Sequence, residues 1–125
     1  MLYLDSSALV KLVVDEAETE ALRAFASGQR LLSSEIALVE VPRAARRYEL
    51  EARGAQLVQQ LALIEIDEAI LAAAAEVDPV SLSSLDALHL ASGQFARDRI
   101  DYFVAYDAQL AAAVAAAGLE VASPA

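Results

Sequence analysis

The sequence predicts an α/β fold, a three-layer α/β/α sandwich around a parallel sheet of about five strands. Three observations predict it. Strand-like and helix-like segments alternate along the chain. The strand-like segments, such as Leu2-Tyr3-Leu4 and Tyr102 to Ala105, are short and apolar at successive positions, so both of their faces are covered. A length of 125 residues suits one domain, 1–125, large enough to bury a core without staples.

The elements follow in order. Leu2-Tyr3-Leu4 reads as a strand ending at Asp5, and Ser6 or Ser7 starts a helix to about Val14. Asp15 to Ala26 reads as a second helix closed by Gly28. Arg30 to Leu32 is a second strand. Ser33 or Ser34 caps a longer helix toward Arg53-Gly54, with Pro42 as a kink. Gln56 to Leu61 is helical and Leu63 to Ile66 is a third strand. Asp67 caps a helix from Glu68 to Glu76, and Asp78-Pro79 turns the chain. Ser83 or Ser84 caps a helix to about Arg97, Tyr102 to Ala105 is a fourth strand, Asp107 caps a helix to Ala117, and Leu119 to Ala122 is a fifth strand. The Ala-rich stretches within this series read as helices because Ala has the best helix propensity.

Composition narrows the function. There is no cysteine, which excludes disulfides and thiolate metal sites. No apolar run approaches the roughly 20 residues of a membrane span, and the start lacks the basic residues of an export signal. The expectation is a cytoplasmic protein without membrane contact. The net charge of −10 argues against unspecific coating of DNA or RNA. It leaves room for an enzyme that holds cations, which reverse the local field.

The acids are placed informatively. In a parallel sheet, ligands bind at the carboxyl ends of the strands, where the following helices begin. Asp5 ends the first strand, Asp107 follows the fourth, and Asp86 lies in the first turn of its helix. Each has a structural alternative. Asp5 and Asp107 can serve the helices they precede, and Asp86 can complete a capping box with Ser83. Glu40 is harder to explain that way. Ile36, Ala37 and Ala44 surround it on one helix face, where an unpaired carboxylate is costly. It either reaches water, pairs with Arg43, or points into the same acidic rim. His89, three residues after Asp86, has no companion histidine and reads as a packing or hydrogen-bonding residue near the site.

Four carboxylates held together repel one another, and a divalent cation removes that penalty. Oxygen donors without a Cys or His cluster select Mg²⁺ or Mn²⁺. Such ions activate water and stabilise displacement at phosphorus, so the pattern points to phosphodiester hydrolysis. Ser6, next to Asp5, supplies a hydroxyl that can position the water or a phosphate oxygen.

Four stretches together resemble the PIN-domain family, and within it the VapC-type ribonuclease toxins of toxin–antitoxin pairs. They are Tyr3-Leu4-Asp5-Ser6-Ser7-Ala8-Leu9, Ser33-Ser34-Glu35-Ile36-Ala37-Leu38-Val39-Glu40-Val41, Leu85-Asp86-Ala87-Leu88-His89-Leu90-Ala91 and Val104-Ala105-Tyr106-Asp107. In order, they cover essentially the whole chain. The resemblance implies a Mg²⁺- or Mn²⁺-dependent endoribonuclease. Asp5, Glu40 and Asp86 match the family's three core acids, Asp107 its more variable fourth, and Ser6 its active-site hydroxyl. It also implies a homodimer and a VapB-type antitoxin as partner, with DNA contacted only through that antitoxin. Arg43, Arg46 and Arg47 are either RNA-backbone contacts or a solvated helix face.

Other classes fit less well. A phosphoacceptor receiver domain needs a lysine near the last strand, and the only lysine is Lys11 in the first helix. A dehalogenase-like phosphatase needs a second Asp two residues after the first, where this chain has Ser7. A non-catalytic binding module on the same fold would tolerate loss of the acids, and all four are present.

Overall fold

Residues 1–125 are described by a computed structural model, in which five strands and seven helices alternate. They are β1 (Leu2–Leu4), α1 (Ser6–Val13), α2 (Thr19–Ala26), β2 (Leu31–Ser34), α3 (Ala37–Arg47), α4 (Glu51–Gln60), β3 (Leu61–Ile64), α5 (Glu68–Ala75), α6 (Ser84–Phe95), β4 (Tyr102–Val104), α7 (Ala108–Ala116) and β5 (Val121–Ala122). The sheet order is β3-β2-β1-β4-β5, and every pair is parallel. The chain winds outward from β1 through β2 to β3, then returns to lay β4 on the other side of β1. The direction of winding therefore reverses at β1, and the crevice for a ligand opens at the carboxyl ends of β1 and β4.

The alternation of side chains along β1 and β4 makes two cores. Leu2, Leu4 and Val104 pack with Leu9, Val13, Leu22, Val41 and Leu57 of α1 to α4. Tyr3 and Phe103 face the other way, against Ile70, Leu90, Leu110 and Val114 of α5 to α7. These strands are buried on both faces, which is why they read as unbroken apolar runs. Each fully buried aliphatic side chain contributes about 1.5–3 kcal/mol of transfer free energy. No helix is long and apolar enough to cross a membrane.

Several predicted boundaries move. Asp5, not Ser6 or Ser7, caps α1: its Oδ1 accepts from the Ala8 N–H at 2.9 Å. The second helix begins at Thr19 rather than Asp15, because the Thr19 hydroxyl turns back onto the end of α1 and donates to the Lys11 carbonyl at 2.8 Å. Ser33 and Ser34 extend β2 instead of starting a helix; Ser33 is fully buried and donates to the Leu4 carbonyl at 2.7 Å. The third strand is Leu61–Ile64, two residues earlier than expected, where it registers with β2. Ala37–Arg47 runs through Pro42 as one helix, and the break comes later, at Glu49, whose φ is 56°.

Gly54 does not end a helix. It lies inside α4, where a Cβ would stand 2.7 Å from the Ala45 Cβ, so its lack of a side chain lets α4 press against α3. Gly93 plays the same part in α6, beneath the Phe103 ring. The caps at Asp67, Ser83 and Asp107 are as predicted.

Candidate active site

The site is built where the two helix layers meet over the carboxyl end of β1. Asp5 leaves that strand almost completely buried, at 2% exposure. Its Oδ1 takes the Ala8 N–H and the Ser7 hydroxyl, the latter at 2.7 Å. Capping thus engages one oxygen, and neither of these bonds uses Oδ2. Ser7 also accepts from the Tyr106 N–H at 3.1 Å, which ties the end of β1 to the end of β4 across the crevice.

Glu40 arrives from the first half of α3. It does not pair with Arg43. Its Oε1 lies 2.9 Å from His89 Nε2, and the same nitrogen is 3.1 Å from the Ser6 hydroxyl. His89 is fully buried, and its Nδ1 is 2.8 Å from the Tyr3 hydroxyl. One imidazole from α6 therefore joins a strand residue, the start of α1 and the acid of α3.

Asp86 stands one turn before His89. Its backbone N–H is capped by the Ser83 hydroxyl at 3.1 Å, so the capping-box reading holds for the Ser83 arm. Asp107 caps α7 through Leu110 N–H at 2.8 Å and is exposed. For these acids, helix capping and a place on the rim coexist.

The electrostatics show which acids sense one another. Burial pushes the Asp5 carboxyl above its ordinary value, and the Asp86 charge adds to the rise. The Ala8 N–H, the Ser7 hydroxyl and His89 oppose it. Burial also raises Asp86, helped by the charges of Asp107 and Glu40, while Ser83 and His89 pull it down. Asp86 is thus linked to all three others: Asp107 and Glu40 raise it, and it raises Asp5. No lysine or arginine pairs with any of the four; the one basic side chain in contact with them is the His89 ring, at Glu40. The four do not form a closed cage, since no three carboxylate or imidazole groups stand close enough together to hold an ion between them.

The PIN domain family model matches residues 2–116. The chain belongs to the PIN domain family. Its relatives place it with the VapC members. It is 33% identical over 132 residues to Ribonuclease VapC47 of Mycobacterium tuberculosis, covering 99% of this chain and 97% of that protein. It is 36% identical over 126 residues to Ribonuclease VapC46 of the same species, covering 98% and 97%. Among solved structures, the fold resembles a toxin–antitoxin complex from Klebsiella pneumoniae, with a TM-score of 0.76 and 21% identity over 100% of this chain and 98% of that one. It also resembles the sarcin–ricin-loop-cleaving toxin VapC20 of M. tuberculosis, with a TM-score of 0.71 and 15% identity over 95% and 96%.

The donors of this PIN domain fit a hard divalent ion. They are carboxylate oxygens, and both nitrogens of the nearby imidazole already have partners. An open set of oxygen donors suits Mg²⁺ or Mn²⁺, which retain several water ligands rather than filling an all-protein cage.

Three residues do more at the site than their place in the sequence suggests. His89 was placed near the site, but not as its central contact. The signal was its i, i+3 spacing from Asp86 on one helix face. Tyr3 is a phenol in a strand buried on both faces, and such a hydroxyl needs a partner. Ser7 gives no distinct signal, because its bond to the Tyr106 N–H spans 99 residues.

Proposed function

We propose that residues 1–125 form a single PIN unit that acts as the metal-dependent endoribonuclease toxin of a VapC-type toxin–antitoxin pair. The observation that supports it is a rim of acids, Asp5, Glu40, Asp86 and Asp107, left without cationic partners at the winding reversal of the sheet. VapC47 and VapC46, which it resembles along nearly its whole length, are named ribonucleases.

In this reading Asp5, Glu40 and Asp86 are the residues that would hold Mg²⁺ or Mn²⁺, with the more exposed Asp107 as the fourth acid. When bound, the ion would supply an activated water and neutralise charge that develops on the phosphate. The protein positions the reactants. The Ser6 hydroxyl, at the rim, orients a phosphate oxygen. The Glu40 oxygen not engaged by His89 is the one left for the ion. Attack of water on phosphorus would form the new P–O bond as the bond to the 3′ oxygen breaks, and that oxygen takes up a proton, leaving a 3′-hydroxyl and a 5′-phosphate.

Partners follow from the family. A VapB-type antitoxin covers the site, the toxin acts as a homodimer in the cytoplasm, and DNA is reached only through the antitoxin. A non-catalytic binding module is the second reading, and the open spacing of the acids is the observation that favours it. Cleavage of a defined RNA with and without Mg²⁺ or Mn²⁺ decides between them. The nuclease reading expects metal-dependent cuts that disappear in Asp5→Asn and Asp86→Asn. Cleavage that survives in both variants rejects the assigned residues, and no cleavage by the wild-type chain under any metal favours the binding module.

A further inference from the structure

We propose that His89 is a positioning residue, held by Tyr3, that fixes the carboxylate of Glu40 and the hydroxyl of Ser6 for the ion and the phosphate. The proposal rests on the nuclease reading for what is positioned, and on geometry alone for how.

The directions of the hydrogen bonds follow from the partners. An ionised carboxylate only accepts, so at 2.9 Å from Glu40 Oε1 the His89 Nε2 carries a hydrogen and donates it. The Ser6 oxygen, 3.1 Å from the same nitrogen, shares that hydrogen as a second acceptor. Its own O–H is then free to donate outward. The other ring nitrogen meets the Tyr3 hydroxyl at 2.8 Å. A phenol keeps its hydrogen at neutral pH, so the Tyr3 hydroxyl donates to Nδ1, the ring nitrogen left without one. The tyrosine thereby fixes which imidazole nitrogen bears the hydrogen.

Packing fixes where the ring points. Tyr3 stacks on Phe103 with centroids 4.6 Å apart and meets the imidazole edge-on at 5.9 Å. Phe103 is pressed in turn by α6 at Gly93, where a Cβ would come within 2.7 Å of its ring. The relay thus runs from the core of α5 to α7, through Tyr3 and His89, to two groups of the opposite helix layer. Because the imidazole occupies Oε1 of Glu40, Oε2 is the oxygen that would be left for an ion. His89 itself is not a ligand.

Two experiments test this. The first needs no activity. Long-range ¹H–¹⁵N spectra of the imidazole are recorded for the metal-free chain and after Mg²⁺ addition. The expected result is a protonated Nε2 in both states, with the Nδ1 signal shifted in Tyr3→Phe. An unprotonated Nε2, or loss of its hydrogen when Mg²⁺ binds, overturns the proposal and makes His89 a ligand.

The second measures Mn²⁺ binding by calorimetry beside RNA cleavage. His89→Leu is expected to weaken Mn²⁺ about 10–100-fold, the usual effect of removing a partner of a metal ligand. His89→Gln, whose amide N–H can reach the Glu40 oxygen, restores most of that affinity. Tyr3→Phe, which keeps the stack on Phe103, lies between and guards against a folding defect in the larger change. If wild type binds Mn²⁺ and cleaves RNA while folded His89→Leu and Tyr3→Phe bind Mn²⁺ equally well, the positioning role fails and the nuclease reading stands. If the wild-type chain binds no Mn²⁺, the nuclease reading fails, and the positioning role with it.

Discussion

The acids at the two edges of the sheet are treated differently. At the carboxyl edge Asp5, Glu40, Asp86 and Asp107 have no lysine or arginine partner. Beyond the far end of α1, Asp15 is held by Arg23 at 3.0 Å and Arg53 at 3.4 Å, and Arg53 also donates to the Val13 carbonyl at 2.9 Å. Arg23 and Arg53, joined by Arg30, line the crevice there. Lys11 is likewise engaged by Glu16 and Glu18. So these cations compensate acids that fasten the helices, and the four acids of the rim stay without lysine or arginine. A charge that folding leaves unpaired and partly buried is a cost, and a bound cation would relieve it.

The largest effect expected is on catalysis. Asp86→Asn removes the acid that interacts with the other three, and should lower metal-dependent RNA cleavage roughly a thousandfold, the several kcal/mol that ion-assisted charge stabilisation supplies. Asp15→Asn should leave the rate within about twofold, since exposed pairs contribute little even to stability. Parallel cleavage assays on the two variants would erase the contrast if both lost activity alike.

Metal comes next. At a hundred times its dissociation constant, Mn²⁺ should stabilise the folded chain by about 2.7 kcal/mol if it binds only that state. Thermal melts with and without the ion measure this. The gain should shrink in Asp86→Asn and persist in Asp15→Asn; a gain that instead vanished with Asp15 would move the ion to the other edge.

The pH dependence is smaller and carries a definite sign. Asp5 and Asp86 are raised above their unfolded values, first by burial. Stability from such groups is fully present below the unfolded value and is lost as pH rises through the folded one. The metal-free chain should therefore lose their contribution on going from about pH 4 to neutrality, where unperturbed carboxylates have already ionised. Asp86→Asn should flatten that part of the melting profile and raise the melting temperature at pH 7. A profile unchanged by the substitution would mean that the rim is not under electrostatic load.

The smallest effect belongs to the paired edge. Asp15→Asn should cost about 0.5 kcal/mol, and less at high salt, because its pair with Arg23 is exposed on both sides. Denaturant titration at two ionic strengths checks it. A loss of several kcal/mol would show that these arginines do more than screen a surface charge.

The contrast also bears on what was legible. Asp5, Asp86 and Asp107 stood out because each falls at a strand end or in a first helical turn, which the parallel fold turns into a place in space, and Glu40 because it is a carboxylate among Ile36, Ala37 and Ala44 on one helix face. Caps such as Asp67 and Asp107 were legible for a similar reason, since a short side chain bonds a backbone N–H only three residues away. Gly54 was misread because the same residue type serves to end a helix and to let two helices touch, and only the position of Ala45 distinguishes these uses. Ser33 and Ser34 looked like helix starters, yet the register with β3 takes them into the sheet.

By itself the sequence determined the alternation of elements, the burial of both sheet faces and the set of acids at the ligand edge. These depend on periodicity and on bonds between near neighbours, which a linear order records. Only the tertiary structure decided that His89 stands between Tyr3, Ser6 and Glu40, and that Asp15 rather than Glu40 takes the arginines. Those contacts bring together residues as many as 86 positions apart. They form because two helix layers close over one strand end, and local pattern holds no trace of that closure.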